Sequence, residues 1–225
     1  MKKFSILLIM MMLNSIVYAT TWRPSHKTDP LTGDSVSCQE ITSFGGYIYH
    51  WPSKYDLVFW PWTSSQWIIM NKRNGYAAFN SHFEKVPDAQ KPALRKWLAA
   101  NYDPQNPPSS HKEKLLWLEK VYSQRHKNDE FWSHFYRIMV YIHRDDENIA
   151  KVYIKKTLPL LEKSLQSASN VHKQLEALYL LGEYHLRLKN FKQAKEYFEQ
   201  VKQIDHPYFN KLVKDRWQRL ELQKH

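Results

Sequence analysis

The side chains that could do chemistry are few, and their spacing shows whether they belong together. His50, Asp56 and His82 have the groups of a metal or acid–base site, but they lack the i, i+4 spacing of helical metal ligands and no carboxylate motif flanks them. The single cysteine, Cys38, stands in "SVSCQEI", which matches no nucleophile signature. The sequence therefore favours scattered surface histidines and a buried or spare thiol, and it predicts neither an enzyme nor a cofactor.

The segment "NKRNGYAAFNSHF", residues 71–83, has the outline of a metal-binding knuckle without its ligands. Cysteines in place of Asn71 and Asn74 would give C-x-x-C-G-Y. A zinc ribbon needs four nitrogen or sulfur ligands, whereas this part of the chain offers Cys38 and three histidines at unrelated spacings. The sequence thus predicts a hairpin without metal, in which Asn74 and Gly75 form a tight turn because both residue types tolerate positive φ.

An earlier segment, "DPLTGDSV" (residues 29–36), stands where a first knuckle would precede the second. With both segments, the chain resembles a bacterial family of unknown function that has a two-knuckle zinc-ribbon head, "C-P-x-C-G" and "C-P-x-C-G-Y-A", leading into tetratricopeptide-like helices. The residues that match its pattern are Gly33, Gly75, Tyr76, Ala77 and Phe83. The resemblance implies a degenerate zinc-ribbon head that has lost its metal-binding cysteines.

Residues 1–19 follow the order of a secretory signal peptide. Lys2 and Lys3 precede the apolar run "FSILLIMMMLNSIV", and the small residue Ala19 ends the segment. The apolar run is shorter than the roughly 20 residues that span a bilayer. We therefore expect cleavage after Ala19 and a periplasmic or secreted protein without a transmembrane segment, in preference to a membrane-anchored one.

Composition divides the remaining chain into parts and predicts an α+β fold. Residues 20–87 combine aromatic residues with turn formers, which predicts a small β-rich head. Residues 88–108 predict a helix, capped by Asp88, and a proline-rich linker. Residues 109–225 predict a tetratricopeptide-like helical array that opens with a capping box, Ser110 and Glu113. Further helices are expected at about 129–143, 147–166 (kinked or ended at Pro159), 171–188, 191–204 and 208–222. The last of these helices is predicted to have a polar face, away from its apolar face, that carries Lys211, Lys214 and Arg216.

One segment of the array, residues 175–207, looks like a tetratricopeptide repeat. Its signature residues are Leu178, Leu181, Gly182, Ala194, Phe198 and Pro207. The small residue Gly182 would let the first helix of the repeat approach the second, and Phe198 would fill the space beyond the crossing. An ordinary helical hairpin is the alternative. Because one repeat cannot bury both of its faces, neighbouring helices are required.

Positive charge is concentrated in the second part of the chain, and it affects which kinds of partner are expected. The formal charge of the chain is +11 at pH 7. Residues 20–90 carry six basic and six acidic side chains, whereas residues 91–225 carry 25 basic and 16 acidic ones. Lysines at helical spacing suggest basic faces: Lys151, Lys155, Lys156, Lys192, Lys195 and Lys202. Solvated faces explain this spacing equally well, and no nucleic-acid motif is present.

These observations predict an exported, non-enzymatic protein that binds a protein or peptide through its helical array. The alternative is a binder of glycans or anionic envelope polymers that uses the basic helical face and an aromatic platform. The candidate platform residues are Trp51, Trp60, Trp62 and Trp67, although most of these rings are expected to form the core of so small a head. A hydrolase of unrecognised type is a second alternative.

Overall fold

The structure, a computed structural model, describes residues 20–44 and 60–222. Within them, two small antiparallel sheets precede seven α-helices, which confirms the predicted α+β fold class. The predicted signal peptide and Trp51 lie outside the described residues, as do His50 and Asp56. The division into head, linker and array stays a prediction.

The first sheet pairs β1 (Thr20–Thr28) with β2 (Ser35–Phe44), a hairpin whose turn falls in the predicted first knuckle segment, residues 29–36, but whose strands were not predicted. Its strands are mainly polar and exposed, so no apolar run marked them. Pro24 also lies within β1, opposite Gln39. A proline usually argues against a strand, but among the described residues β1 pairs with β2 alone, and an edge strand tolerates a proline.

The second sheet pairs β3 (Ile68–Met70) with β4 (Ala77–Phe79), so the predicted hairpin is present. The predicted tight turn is wrong, because Met70 pairs with Ala77 and a six-residue loop lies between them. Within this loop Gly75 adopts a φ of +78°, and its N–H donates to the carbonyl of Asn71 at 2.8 Å. A side chain at Gly75 would also collide with the ring of Tyr102, so glycine is required there.

The helices match the expected positions closely. They are α1 (Lys91–Asn101), α2 (His111–Ser123), α3 (Asp129–Ile142), α4 (Glu147–Gln166), α5 (Val171–Arg187), α6 (Phe191–Gln203) and α7 (Pro207–Leu222). The capping box of Ser110 and Glu113 is present at the start of α2. The predicted cap at Asp88 is wrong: this residue opens a 3₁₀ turn and pairs with Lys91 at 2.6 Å, while α1 begins after Gln90. The helix α4 runs past Pro159.

Each helix from α3 onward packs against the next, and α5 also contacts α7. The buried side chains form one cluster that extends from Leu31 in the head to Val213 in α7. At the head, the hydroxyl of Tyr122 in α2 accepts the N–H of Phe79 at 3.0 Å, and the two rings stack at 5.9 Å. None of the helices in the described part of the chain combines the length and apolar character needed to cross a membrane.

Candidate functional site

The two turns of the head lie against each other and are joined through one buried carboxylate. Oδ2 of Asp29 accepts hydrogen bonds from Nδ2 of Asn71 at 2.7 Å and from Nδ2 of Asn74 at 2.8 Å. Its Oδ1 accepts the N–H of Leu31 at 2.7 Å. Three donors therefore satisfy the charge of a side chain that is fully buried, as a buried carboxylate requires. We call Asp29, Asn71 and Asn74 the Asp29 cluster.

Hydrogen bonds within their own turn hold the two asparagine side chains of the Asp29 cluster in place. The side-chain oxygens of Asn71 and Asn74 accept backbone N–H groups of their own turn, from Arg73 at 3.0 Å and from Tyr76 at 2.8 Å. Both amide nitrogens consequently point at the carboxylate. In residues 20–44 and 60–222, no group of three or more histidine, cysteine, aspartate or glutamate side chains could hold a metal ion. The metal-free head stays a prediction until zinc is measured.

The described tryptophans of the candidate platform contact different neighbours. Trp60 and Trp67 both approach Trp22 of β1, with ring centroids 6.1 and 6.3 Å away. Trp62 lies elsewhere, 4.6 Å from the ring of Phe79, and packs against the core where the head meets the helices. Two of the predicted residues therefore share Trp22 as a neighbour, whereas Trp62 packs on Phe79.

His82 is the described member of the predicted acid–base set, and its surroundings are aromatic. Trp62 lies 5.1 Å from its ring, and the hydroxyl of Tyr122 lies 3.3 Å from Nδ1. Burial, followed by the charges of Lys127 and Arg125, lowers the pKa of His82 to about 4. The imidazole is thus neutral at pH 7, and its described contacts are those of a packed side chain.

Two of the predicted repeat residues, Gly182 and Phe198, meet where α5 packs against α6. Leu178, Leu181, Gly182, Ala194 and Phe198 are all buried, while Pro207 is exposed and opens α7. The ring of Phe198 lies so close to Gly182 that a methyl group on this glycine would collide with it. Gly182 thus allows the close approach of the two helices that the sequence analysis predicted.

A cleft opens between α4, α5 and α7, and we call it the α4–α5–α7 cleft. It encloses about 460 Å³. Its floor consists of three apolar side chains that are almost fully buried, Ala150, Ile154 and Leu186. Around this floor stand five cationic and two anionic side chains, which are Arg144, Lys151, Arg187, Lys189, Arg216, Glu147 and Glu183. The cleft therefore combines an apolar floor with a formal excess of three positive charges.

A buried carboxylate organises one wall of this cleft. Glu183 of α5 is 4% exposed, and its Oε2 lies 2.6 Å from Nε of Arg216 in α7. Its Oε1 lies 3.6 Å from Nε of Arg187, one turn further along α5. One carboxylate thus orients two guanidinium groups, and opposite charges at such distances stabilise each other. The prediction that Arg216 lies on the polar face of α7 is wrong, because its side chain faces Glu183 in α5.

A second cleft lies between α3, α4 and α5 and encloses about 310 Å³. Arg137, which is almost fully buried, pairs there with Glu176 at 3.4 Å, and Lys163 pairs with Asp129 at 3.0 Å. Three cationic and three anionic side chains line this cleft in total, namely Arg137, Lys163, Lys173, Asp129, Glu130 and Glu176. Its charges balance, so this cleft is neutral whereas the α4–α5–α7 cleft is positive.

The lysines of the predicted basic faces have different roles in the structure. Lys151 lines the α4–α5–α7 cleft. Lys156 is 2.6 Å from Glu119 and lies over the ring of Tyr153, while Lys202 lies 3.3 Å from the ring centroid of Trp217. Part of the basic surface is therefore engaged in contacts within the chain.

Sequence comparison places the chain in a family. The family's sequence profile matches residues 67–220, from the start of the second hairpin to α7, which is more than half of the 225 residues. Searches of the curated proteins and of the solved structures gave no match. The chain belongs to DUF2225, a family of uncharacterised proteins conserved in bacteria.

Proposed function

We propose that this chain is an exported, non-enzymatic protein that holds a segment of a partner protein in its helical array. The α4–α5–α7 cleft supports the proposal most directly. It is concave, it lies between three helices, and it joins an apolar floor to a ring of charged side chains. Sites for peptide segments in helical arrays use this combination, because the apolar floor provides affinity and the charges provide orientation.

The array itself is proposed to be tetratricopeptide-like. In support, α5 and α6 approach each other at Gly182, where Phe198 fills the contact, and α7 packs on both α5 and α6. Stacked helix pairs of this kind bury a continuous core and leave a concave side for a ligand. The lining of the cleft by α4, α5 and α7 fits that arrangement.

The head is proposed to be a zinc ribbon in which hydrogen bonds have replaced the metal. Asp29, Asn71 and Asn74 stand at three of the four cysteine positions of the two knuckles, and Thr32 stands at the fourth. In the structure the first three meet in the Asp29 cluster, which ties one turn to the other. On this proposal the head is a structural support for α1 and α2 rather than a catalytic centre.

The proposal is tested by affinity capture from the cell envelope with the mature chain, beginning at Thr20. Ala150→Trp fills the floor of the cleft, and Leu186→Trp serves if the first variant fails to fold. Ala100→Trp, on an exposed position of α1, is the matched control. We expect the wild type and the control to retain one partner protein that the filled cleft loses. Equal retention by folded variants would place the partner elsewhere and contradict the proposal.

The glycan-binding alternative has weaker support. Trp60 and Trp67 meet at Trp22, but Trp62 is packed against Phe79. If glycans were the ligand, Trp67→Ala would weaken their binding and Ala150→Trp would not, so the same variants separate the two functions.

A further inference from the structure

We propose that the α4–α5–α7 cleft selects an acidic peptide segment in which carboxylates flank an aliphatic or aromatic side chain. This inference rests on the proposed function and names the chemistry of the partner. It follows from three features of the cleft: the sign of its charge, its apolar floor, and the contrast with the second cleft.

The sign of the charge comes from a formal excess of three cations. Glu147 pairs with Lys151 at 3.0 Å, and Glu183 is held between Arg187 and Arg216. These carboxylates offset part of the positive charge and fix the positions of the cations that surround them. In a concave site the remaining field is screened less than on an open surface, so it attracts anionic groups.

The apolar floor distinguishes a peptide from a uniformly charged polymer. Ala150, Ile154 and Leu186 form a surface that phosphate or sugar oxygens cannot satisfy. An apolar side chain of the segment removes its own hydrocarbon surface from water when it packs there, whereas a bare polyanion would bring its charges against hydrocarbon and lose part of their hydration. In a segment with one apolar side chain between carboxylates, the apolar side chain can pack on the floor while the carboxylates pair with the cations of the rim.

The second cleft supplies an internal contrast. Its charges balance, and its buried Arg137 already faces Glu176. Both clefts adjoin α4 and α5, the positive one at the start of α4 and the end of α5 and the neutral one at their other ends, so a partner segment that lies along α5 meets a positive site at one end and a neutral site at the other. The acidic part of the segment is therefore assigned to the α4–α5–α7 cleft.

The test measures binding of fluorescently labelled peptides to the full mature chain by anisotropy at low and moderate salt. The first peptide carries Asp and Glu around a central Leu, the second replaces Leu by Ser, and the third replaces the acids by Asn and Gln. A polyphosphate chain is the competitor. We expect the first peptide to bind tightest, with affinity that falls as salt rises, and polyphosphate to compete poorly.

Two rim cations provide the variant, the half-buried Lys151→Gln together with the exposed Lys189→Gln. A matched pair with the same change of net charge, Lys72→Gln with Lys96→Gln, lies outside the cleft. Because an exposed charge contributes a factor of a few to binding, we expect the rim pair to weaken the first peptide by about tenfold and the matched pair by less than about twofold.

The outcomes separate this inference from the proposed function. Equal binding of the acidic and neutral peptides, equal losses in the two lysine pairs, or stronger binding of polyphosphate would overturn the inference. If in that case the captured partner still depends on an open cleft, the proposed function stands. If filling the cleft also has no effect on capture, both fail.

Discussion

Nδ2 of Asn71 lies 2.7 Å from Oδ2 of Asp29, and this hydrogen bond joins two turns whose residues are 42 positions apart in the chain. Asn74 donates to the same oxygen at 2.8 Å. A single buried carboxylate thereby fixes the distance between the β1–β2 and β3–β4 hairpins. The stability of the head should depend on it, because removing the acceptor leaves two amide groups and the N–H of Leu31 without this partner.

Asp29→Ala is expected to lower the free energy of unfolding by roughly 2–4 kcal/mol, since a buried charge-assisted network loses its acceptor. Urea unfolding of the mature chain measures this. Asp34→Ala is the matched control, because Asp34 is only partly buried and lies 3.4 Å from Asn71 and 4.0 Å from Arg73. Equal losses for the two variants would show that the Asp29 cluster is not the link between the turns.

Contacts that depend on nearby residues were predictable from the sequence, and contacts between distant residues were not. Ser110 and Glu113 form their capping box because both partners lie within one helical turn. Gly182 and Phe198 were predicted to meet because repeat spacing fixes their register. The Asp29 cluster was missed, since its knuckle segments suggested a position for the turns but not that the asparagine amides would bind one carboxylate.

The α4–α5–α7 cleft could not be predicted from the sequence either, for a related reason. Glu183 lies in the apolar stretch "ALYLLGEYHL", and an acidic residue at a buried helical position is a signal that it has a cationic partner. The identity of that partner depends on how α7 packs against α5. Helical periodicity placed Arg216 away from the apolar face, whereas the structure turns it toward Glu183.

Restoring cysteines should create a zinc site if the head is a zinc ribbon without metal. We expect wild-type protein to contain no stoichiometric zinc, and the variant Asp29→Cys, Thr32→Cys, Asn71→Cys, Asn74→Cys to bind one Zn²⁺ with a tetrahedral thiolate spectrum when Co²⁺ replaces it. Elemental analysis and absorption spectroscopy measure both. A folded four-cysteine variant without metal, or zinc in the wild type, would contradict the proposal for the head.

Any residue larger than glycine at position 182, where α5 and α6 cross, should destabilise the protein. Gly182→Leu is expected to reduce the free energy of unfolding by roughly 1–3 kcal/mol, the usual effect of overpacking. Gly182→Ala should have a smaller effect of the same sign, because even its methyl group meets the ring of Phe198. Adding Phe198→Leu to Gly182→Ala should recover part of that loss, as a double-mutant cycle would show. No coupling between the two positions would refute the contact.

Acidification should destabilise the protein partly through His82. Its pKa is about 4 in the folded chain, below the ordinary value of 6.5, chiefly because of burial. Between pH 6.5 and 4, His82 therefore binds a proton in the unfolded chain but stays neutral in the folded chain, so stability is lost as the pH falls through this window. Urea midpoints at pH 7.5 and 4.5 should differ less for His82→Gln than for wild type. The exposed His26→Gln should retain the wild-type difference.

Site-specific photocrosslinking can show directly whether the α4–α5–α7 cleft holds a partner protein. A photoreactive amino acid at Lys151, on the rim of the cleft, is compared in living cells with the same group at Ala100, on the exposed side of α1. We expect a discrete crosslinked protein from position 151 that is absent from position 100 and disappears when Ala150→Trp fills the cleft. Identical crosslinking patterns from the two positions would contradict it.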